Sequence, residues 1–284
     1  MVNSGARYAG ALSLVRRHPT IFIGGIVLLA IALMAALAPH VGTVDPRAID
    51  PAVRLRSASS QHWMGTDMLG RDLYSRVVYG GRMSLVIGLG VALLAAGSGL
   101  LIGVVTGFNR RIDAIVMRVM DGLMAIPSVL LAIALMALTR ASIENVLFAI
   151  TIAEIPRVVR LVRGVVLTLR GQPFIEAATA CGTRTLPMLW RHILPNTIAP
   201  VLVQATYICA SAMLIEATLS FIGAGIPPGT PSWGNIMAEG RTVFQLSPAT
   251  ILYPGMMLSL TVLSVNLLGD GLRDAFDPRL SRLM

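Results

Sequence analysis

Lysine is absent from the chain: all 23 of its basic residues are arginines. A phosphate-binding P-loop needs a lysine to reach the nucleotide phosphates, and Schiff-base catalysis needs one as its amine, so both are excluded. Cysteine is nearly absent too. Cys181 and Cys209 stand 28 residues apart without a CxxC pair, and the four histidines (His18, His40, His62, His192) are scattered singly. Neither a disulfide framework nor a zinc site fits that spacing. Charged residues make up only 13% of the sequence against 55% hydrophobic, and the mean hydropathy is +0.75. Water-facing surface and disordered tails both require far more polarity. What remains is an integral membrane protein.

The formal charge is +9. Its arginines are dispersed among apolar stretches rather than gathered on a polar face, which excludes a nucleic-acid surface and points to topology instead. A bilayer core takes roughly 20 apolar residues as helix. Five segments qualify: residues 21–38, 83–108, 122–139 (extended back through Asp121 to about 114), 197–215 and 242–269. A sixth, 143–169, is apolar at first and then carries Glu154, Arg157, Arg160 and Arg163, so it reads as a helix emerging into a polar compartment. Six crossings with the N-terminus inside place fifteen arginines on the cytoplasmic side and eight outside, as the positive-inside rule requires. The first segment imitates a secretory signal ending in Ala36-Leu37-Ala38. Its 18-residue apolar run exceeds the roughly 7–15 of a signal core, so it reads as a retained anchor. The expected organisation is an anchor helix with an extracytoplasmic segment (1–82) followed by a membrane core (83–284).

Within the second span Ala95, Gly99, Gly103 and Gly107 recur every four residues, a small-residue stripe suited to close helix packing. Carboxylates at membrane depth are costly unless paired. Glu154 either pairs with Arg157 three residues on or faces a translocation path, and Asp121 with Arg118 presents the same two readings. The outer stretch 65–82 alternates carboxylates and guanidiniums, which suits either a salt-bridged cap or contact with a partner protein.

The inner loop at about 170–196 predicts two short helices with small residues on show, one over 175–181 stopped by Gly182 and a second running to Pro195. It contains Glu176-Ala177-Ala178, three further residues, Gly182, nine more, and then His192-Ile193-Leu194-Pro195. This arrangement resembles the cytoplasmic signature loop of bacterial ABC importer permeases. The His-Ile-Leu-Pro form is similar to the dipeptide/oligopeptide/nickel branch and its C-type peptide permeases. Three more stretches resemble the same branch: His62 to Asp72 with Gly80-Gly81-Arg82; Glu216 to Gly223 with Pro231-Ser232-Trp233-Gly234; and Gly269 to Asp274 with Asp277-Pro278-Arg279-Leu280. One departure is Glu154-Ile155-Pro156, where the branch commonly carries an aromatic residue before the loop.

The resemblance implies an all-α, six-helix type I importer permease in a bacterial inner membrane, with both termini cytoplasmic. It implies a second homologous permease, two ATPase subunits or domains that hold ATP and magnesium, and an extracytoplasmic substrate-binding protein. No cofactor is expected on this chain. Glu176, Ala177, Ala178, Gly182, His192, Leu194 and Pro195 become the expected ATPase-coupling residues, and Asp121, Glu154 and Glu216 the candidates for pathway or gating. Di- or oligopeptides are the implied substrates; nickel, glutathione-like peptides or another small solute are alternatives. A stand-alone secondary transporter is the distant competitor. An intramembrane enzyme is disfavoured, because no HExxH or GxSxG pattern occurs.

Overall fold

The computed structural model describes residues 19–276. Arg7, Arg16, Arg17, Arg279 and Arg282 of the charge tally, with Asp277, Pro278 and Leu280 of the tail motif, lie outside the described residues.

Among the described residues ten α-helices carry the fold: α1 (Pro19–Ala36), α2 (Leu73–Phe108), α3 (Arg110–Met124), α4 (Ser128–Ala137), α5 (Ile143–Arg170), α6 (Pro173–Ala180), α7 (Thr185–Met188), α8 (Leu194–Ile222), α9 (Trp233–Gly240) and α10 (Ala249–Phe276). Their starts are set by local chemistry. Asp72, Asn109, Ser142 and Ser232 each accept a backbone N–H from the first turn of α2, α3, α5 and α9, the ordinary N-cap arrangement. Among the described residues there is no strand, only an isolated bridge between Thr66 and Asp72.

Among the described residues four helices are long and apolar enough to cross a membrane: α1, α2, α8 (with α7 leading into it) and α10. The expected third crossing, 122–139, is broken. Its first part belongs to α3, and α4 leaves at 91° after the break. Pro127 explains this, since proline disfavours helix at the residue before it and offers no N–H to continue the ladder. If the bent pair is one crossing, the apolar count rises to five. The sixth segment is a 28-residue helix as expected, but its arginines keep it below the apolarity of a simple span. α2 begins at Leu73 rather than at residue 83, and α10 begins at Ala249 rather than at 242.

The core sits where α2 packs along α5 and α8, with α10 bridging α8 to α1. The small-residue stripe does what its spacing predicts. A β-carbon added at Gly99, Gly103 or Gly107 would meet Val158, Val162 or Val166 at 2.4, 2.6 and 2.5 Å respectively. Glycine is therefore required at each contact, and α2 and α5 run parallel with valines seated in the glycine gaps. Leucine at Gly103 should lower stability in detergent by about 1–3 kcal/mol through overpacking. Leucine at Gly97, around which nothing lies within 4 Å, should be nearly neutral. Equal melting temperatures for the two variants would contradict this packing.

Gly80 and Gly81 make room for Trp233, which is 1% exposed and donates its indole N–H to the Val77 carbonyl at 2.9 Å. Arg82 reaches the last carbonyls of α1, donating to Ala35 at 2.5 Å and Ala36 at 2.8 Å, where a cation also suits the helix dipole. Gly269 and Gly271 let α10 approach Thr206 of α8 and Ile21 of α1. The outer and tail motifs are thus, in large part, packing devices.

Candidate functional site

The inner loop folds as two short helices, α6 and α7, followed by a wide π turn at Leu189–Ile193 that feeds into α8. Three apolar side chains anchor it: Ile175, Met188 and Ile193 are buried. Proline opens α6 at its first position, where a missing N–H costs nothing, and Glu176 stands in the first turn, favoured by the helix dipole. At the other end Gly182 adopts φ +78°, its N–H bonding to the Thr179 carbonyl at 2.9 Å while Thr183 N–H bonds to Ala178 at 3.0 Å. This pair of bonds is the Schellman closure, and it needs a residue tolerant of left-handed backbone.

The anticipated coupling residues are distributed unevenly. Glu176, Ala177, Gly182 and Pro195 are exposed; Ala178, His192 and Leu194 are half-buried, with Ala178 packed against the core. Three residues that the sequence reading passed over stand out beside them: Phe174, Leu186 and Trp190 are 43%, 66% and 65% exposed. Phe174 lies 6.3 Å from the His192 ring, centre to centre. Large apolar side chains in a stretch bounded by Arg170, Arg184 and Arg191 were the available signal. Exposed large apolar side chains grouped in one short stretch suit an interaction surface.

Of the two carboxylates with a nearby arginine, Glu154 keeps the partner that the spacing suggests and Asp121 does not. Glu154 is fully buried, accepting from Arg157 and from Ser211 of α8, each at 3.1 Å. Asp121 does not pair with Arg118; Arg160 of α5 donates to it at 2.6 Å. Asp113, about two turns earlier on α3, takes a two-pronged bond from Arg163. Glu216 is also fully buried. One of its oxygens accepts from Ser220 at 2.8 Å and Ser232 at 2.9 Å, fastening the segment before α9 to α8, while the other has no partner among the described residues.

Outside the bundle, the alternating charges of 65–82 turn inward. Arg71 Nε donates to Asp67 at 2.6 Å; both Arg71 and Arg76 donate to Glu239 of α9, and Arg76 also donates to Asp67. Asp72 caps α2 through Ser75 and meets His62 at 3.0 Å. Of the two readings, this geometry is the salt-bridged cap. It pins the outer segment to α9.

With this geometry in hand, comparison with known proteins is informative. The family described as "Binding-protein-dependent transport system inner membrane component" matches residues 99–282. A probable peptide ABC transporter permease protein of Sinorhizobium fredii is 53% identical over 267 residues, covering 94% of this chain and 91% of that one. A dipeptide transport system permease protein of Alkalihalophilus pseudofirmus is 39% identical over 271 residues, with 95% and 89% covered. A glutathione transport system permease protein of Pectobacterium atrosepticum is 39% identical over 267 residues, with 93% and 88% covered. The helices, the inner loop and these likenesses agree: the chain belongs to the family of inner-membrane permease components of binding-protein-dependent ABC transport systems.

Proposed function

We propose that this chain forms half of the translocation path of an ATP-driven importer for di- or oligopeptides. Residues 83–284 act as the permease core, and 1–82 as its anchor and outer segment. It works beside a second homologous permease, two ATPase subunits that hold ATP and magnesium, and a substrate-binding protein outside. Both termini are cytoplasmic, with α5 counted as a crossing.

The observation that carries this reading is the inner loop. Its folded helices expose Glu176, Ala177 and Gly182 together with Phe174, Leu186 and Trp190. Closure of the ATPase dimer would move this loop and shift the equilibrium between inward- and outward-open states, provided the two states bind the partners unequally. Glu154 and Glu216, bonded to hydroxyls on neighbouring segments, hold the inner and outer parts of the gate; Asp121 stands on the path side of α3. The peptide assignment draws on the printed functions of the relatives, among which glutathione is the nearest alternative.

The decisive experiment is reconstitution of the complete importer in vesicles with a loaded binding protein. Uptake of a labelled dipeptide should require ATP and the ATPase subunits. Accumulation by this permease without them would identify a secondary transporter instead.

A further inference from the structure

The charge cluster of the outer cap is balanced but incompletely bonded. Arg71 and Arg76 face Asp67 and Glu239, two cations against two anions. Arg76 meets both carboxylates through a single nitrogen, Nη1. Its Nε–H is shielded from solvent, and no group of the described residues accepts from it. A buried donor on a charged group is costly to leave unbonded, and folded proteins nearly always supply it with an acceptor. Beside Arg76 lies a cavity of about 10 Å³, walled also by Asp67 of the outer segment, Ile236 and Glu239 of α9, and Thr250 of α10. That is room for one water molecule and nothing larger.

The polarity of the walls is as selective as the volume. Thr250 is buried and spends its hydroxyl proton on the Ser247 carbonyl at 2.7 Å, which leaves its oxygen free to accept. Glu239 accepts from Arg71 and Arg76 through one oxygen, and its other oxygen takes no bond among the described residues. The cavity therefore offers one donor, on Arg76, and acceptors on Thr250 and Glu239. Whatever fills it must accept once and donate twice. An ammonium ion has no lone pair to accept with, chloride has no proton to give, and the balanced charges favour neither. We infer that one water molecule is bound in this cavity, accepting from Arg76 Nε and donating to Thr250 and Glu239. It draws α10 into a cluster whose direct bonds reach only the outer segment, α2 and α9. The site is built from this chain alone and does not depend on the importer reading above.

The test uses the unsubstituted protein, purified with its transport partners in lipid nanodiscs. Electron cryomicroscopy at a resolution of about 2 Å should show a density peak about 2.7–3.2 Å from both Arg76 Nε and Thr250 Oγ1. Well-resolved Arg76 and Thr250 side chains with no peak between them would overturn the site. So would a carboxylate found bonded directly to Nε. Hydroxyl-radical labelling with pulsed X-rays gives a second readout, because radiolysis makes the radical from the bound water where it sits. Ile236 lines the cavity and is 1% exposed, while Ile87 and Ile208 are just as buried in the apolar core. Oxidation of Ile236 should run several-fold faster than that of Ile87 and Ile208. Equal rates at the three isoleucines would mean that the cavity is dry.

Discussion

Gly182→Glu should cut ATP-driven uptake by on the order of a hundredfold, the upper range of a typical coupling energy between two sites. The chain itself should still insert and accumulate in the membrane. Nothing lies within 4 Å of a β-carbon at this position, so the substitution creates no collision within the chain. Its effects are two. A side chain at φ +78° strains the Schellman closure, costing about 1–2 kcal/mol, and a carboxylate at a helix C-terminus opposes the dipole. Both act on the surface proposed to meet the ATPase. Gly182→Asn supplies the control, because asparagine tolerates left-handed backbone and brings no charge; it should keep most of the transport. Wild-type uptake by the Glu variant in reconstituted vesicles would remove the loop from the coupling mechanism. Loss of the variant from the membrane would recast Gly182 as a folding residue.

Arg76→Ala should be the most destabilising single change in the outer half. Arg76 is 2% exposed and stands between Asp67 and Glu239. Its removal leaves both carboxylates on Arg71 alone. Breaking a buried ion pair from one side typically costs 3–5 kcal/mol, on the order of half a domain's net stability, because the surviving charge stays desolvated. The measurement is thermal unfolding in detergent combined with limited proteolysis. The segment between α1 and α2, pinned to α9 through this cluster, should become the first site of cleavage. Removing the opposing charge as well, with Arg76→Met and Asp67→Leu, should recover part of the loss. If Arg76→Ala melts like the parent and its outer segment stays protected, the cluster does not hold the cap.

The parts of this architecture legible in the sequence are those written in local chemistry. Capping residues are examples: Asp72 and Ser142 sit beside the helices they start. The glycine stripe of α2 announced a close partner, and the Glu-Ala-Ala stretch announced the inner loop. What stayed hidden depends on residues distant in the chain. A hydropathy reading opens the second span only after Arg82. The helix begins ten residues earlier, because Glu239 lies alongside Arg76 and the carbonyls of α1 meet Arg82. Likewise Asp121 had a convenient arginine three residues back, yet bonds to one 39 residues on. The break at Pro127 carried a local signal, but a continuous apolar run outweighed it. The exposed Phe174, Leu186 and Trp190 were overlooked because small residues drew the attention in that loop.

The three valine-in-glycine contacts between α2 and α5 have a mechanical consequence. With backbones this close and no methyl groups to give way, the two helices cannot slide past one another without leaving their seats. They form a strut. Arg170 extends it at one end by donating to the Gly107 carbonyl at 2.9 Å, immediately before the inner loop begins. At the other end the same strut carries Arg76 and the groove that holds Trp233. In the proposed mechanism a push delivered at the loop would pass along this strut toward the outer cap, and the sharp bend before α4 is the natural place for compliance.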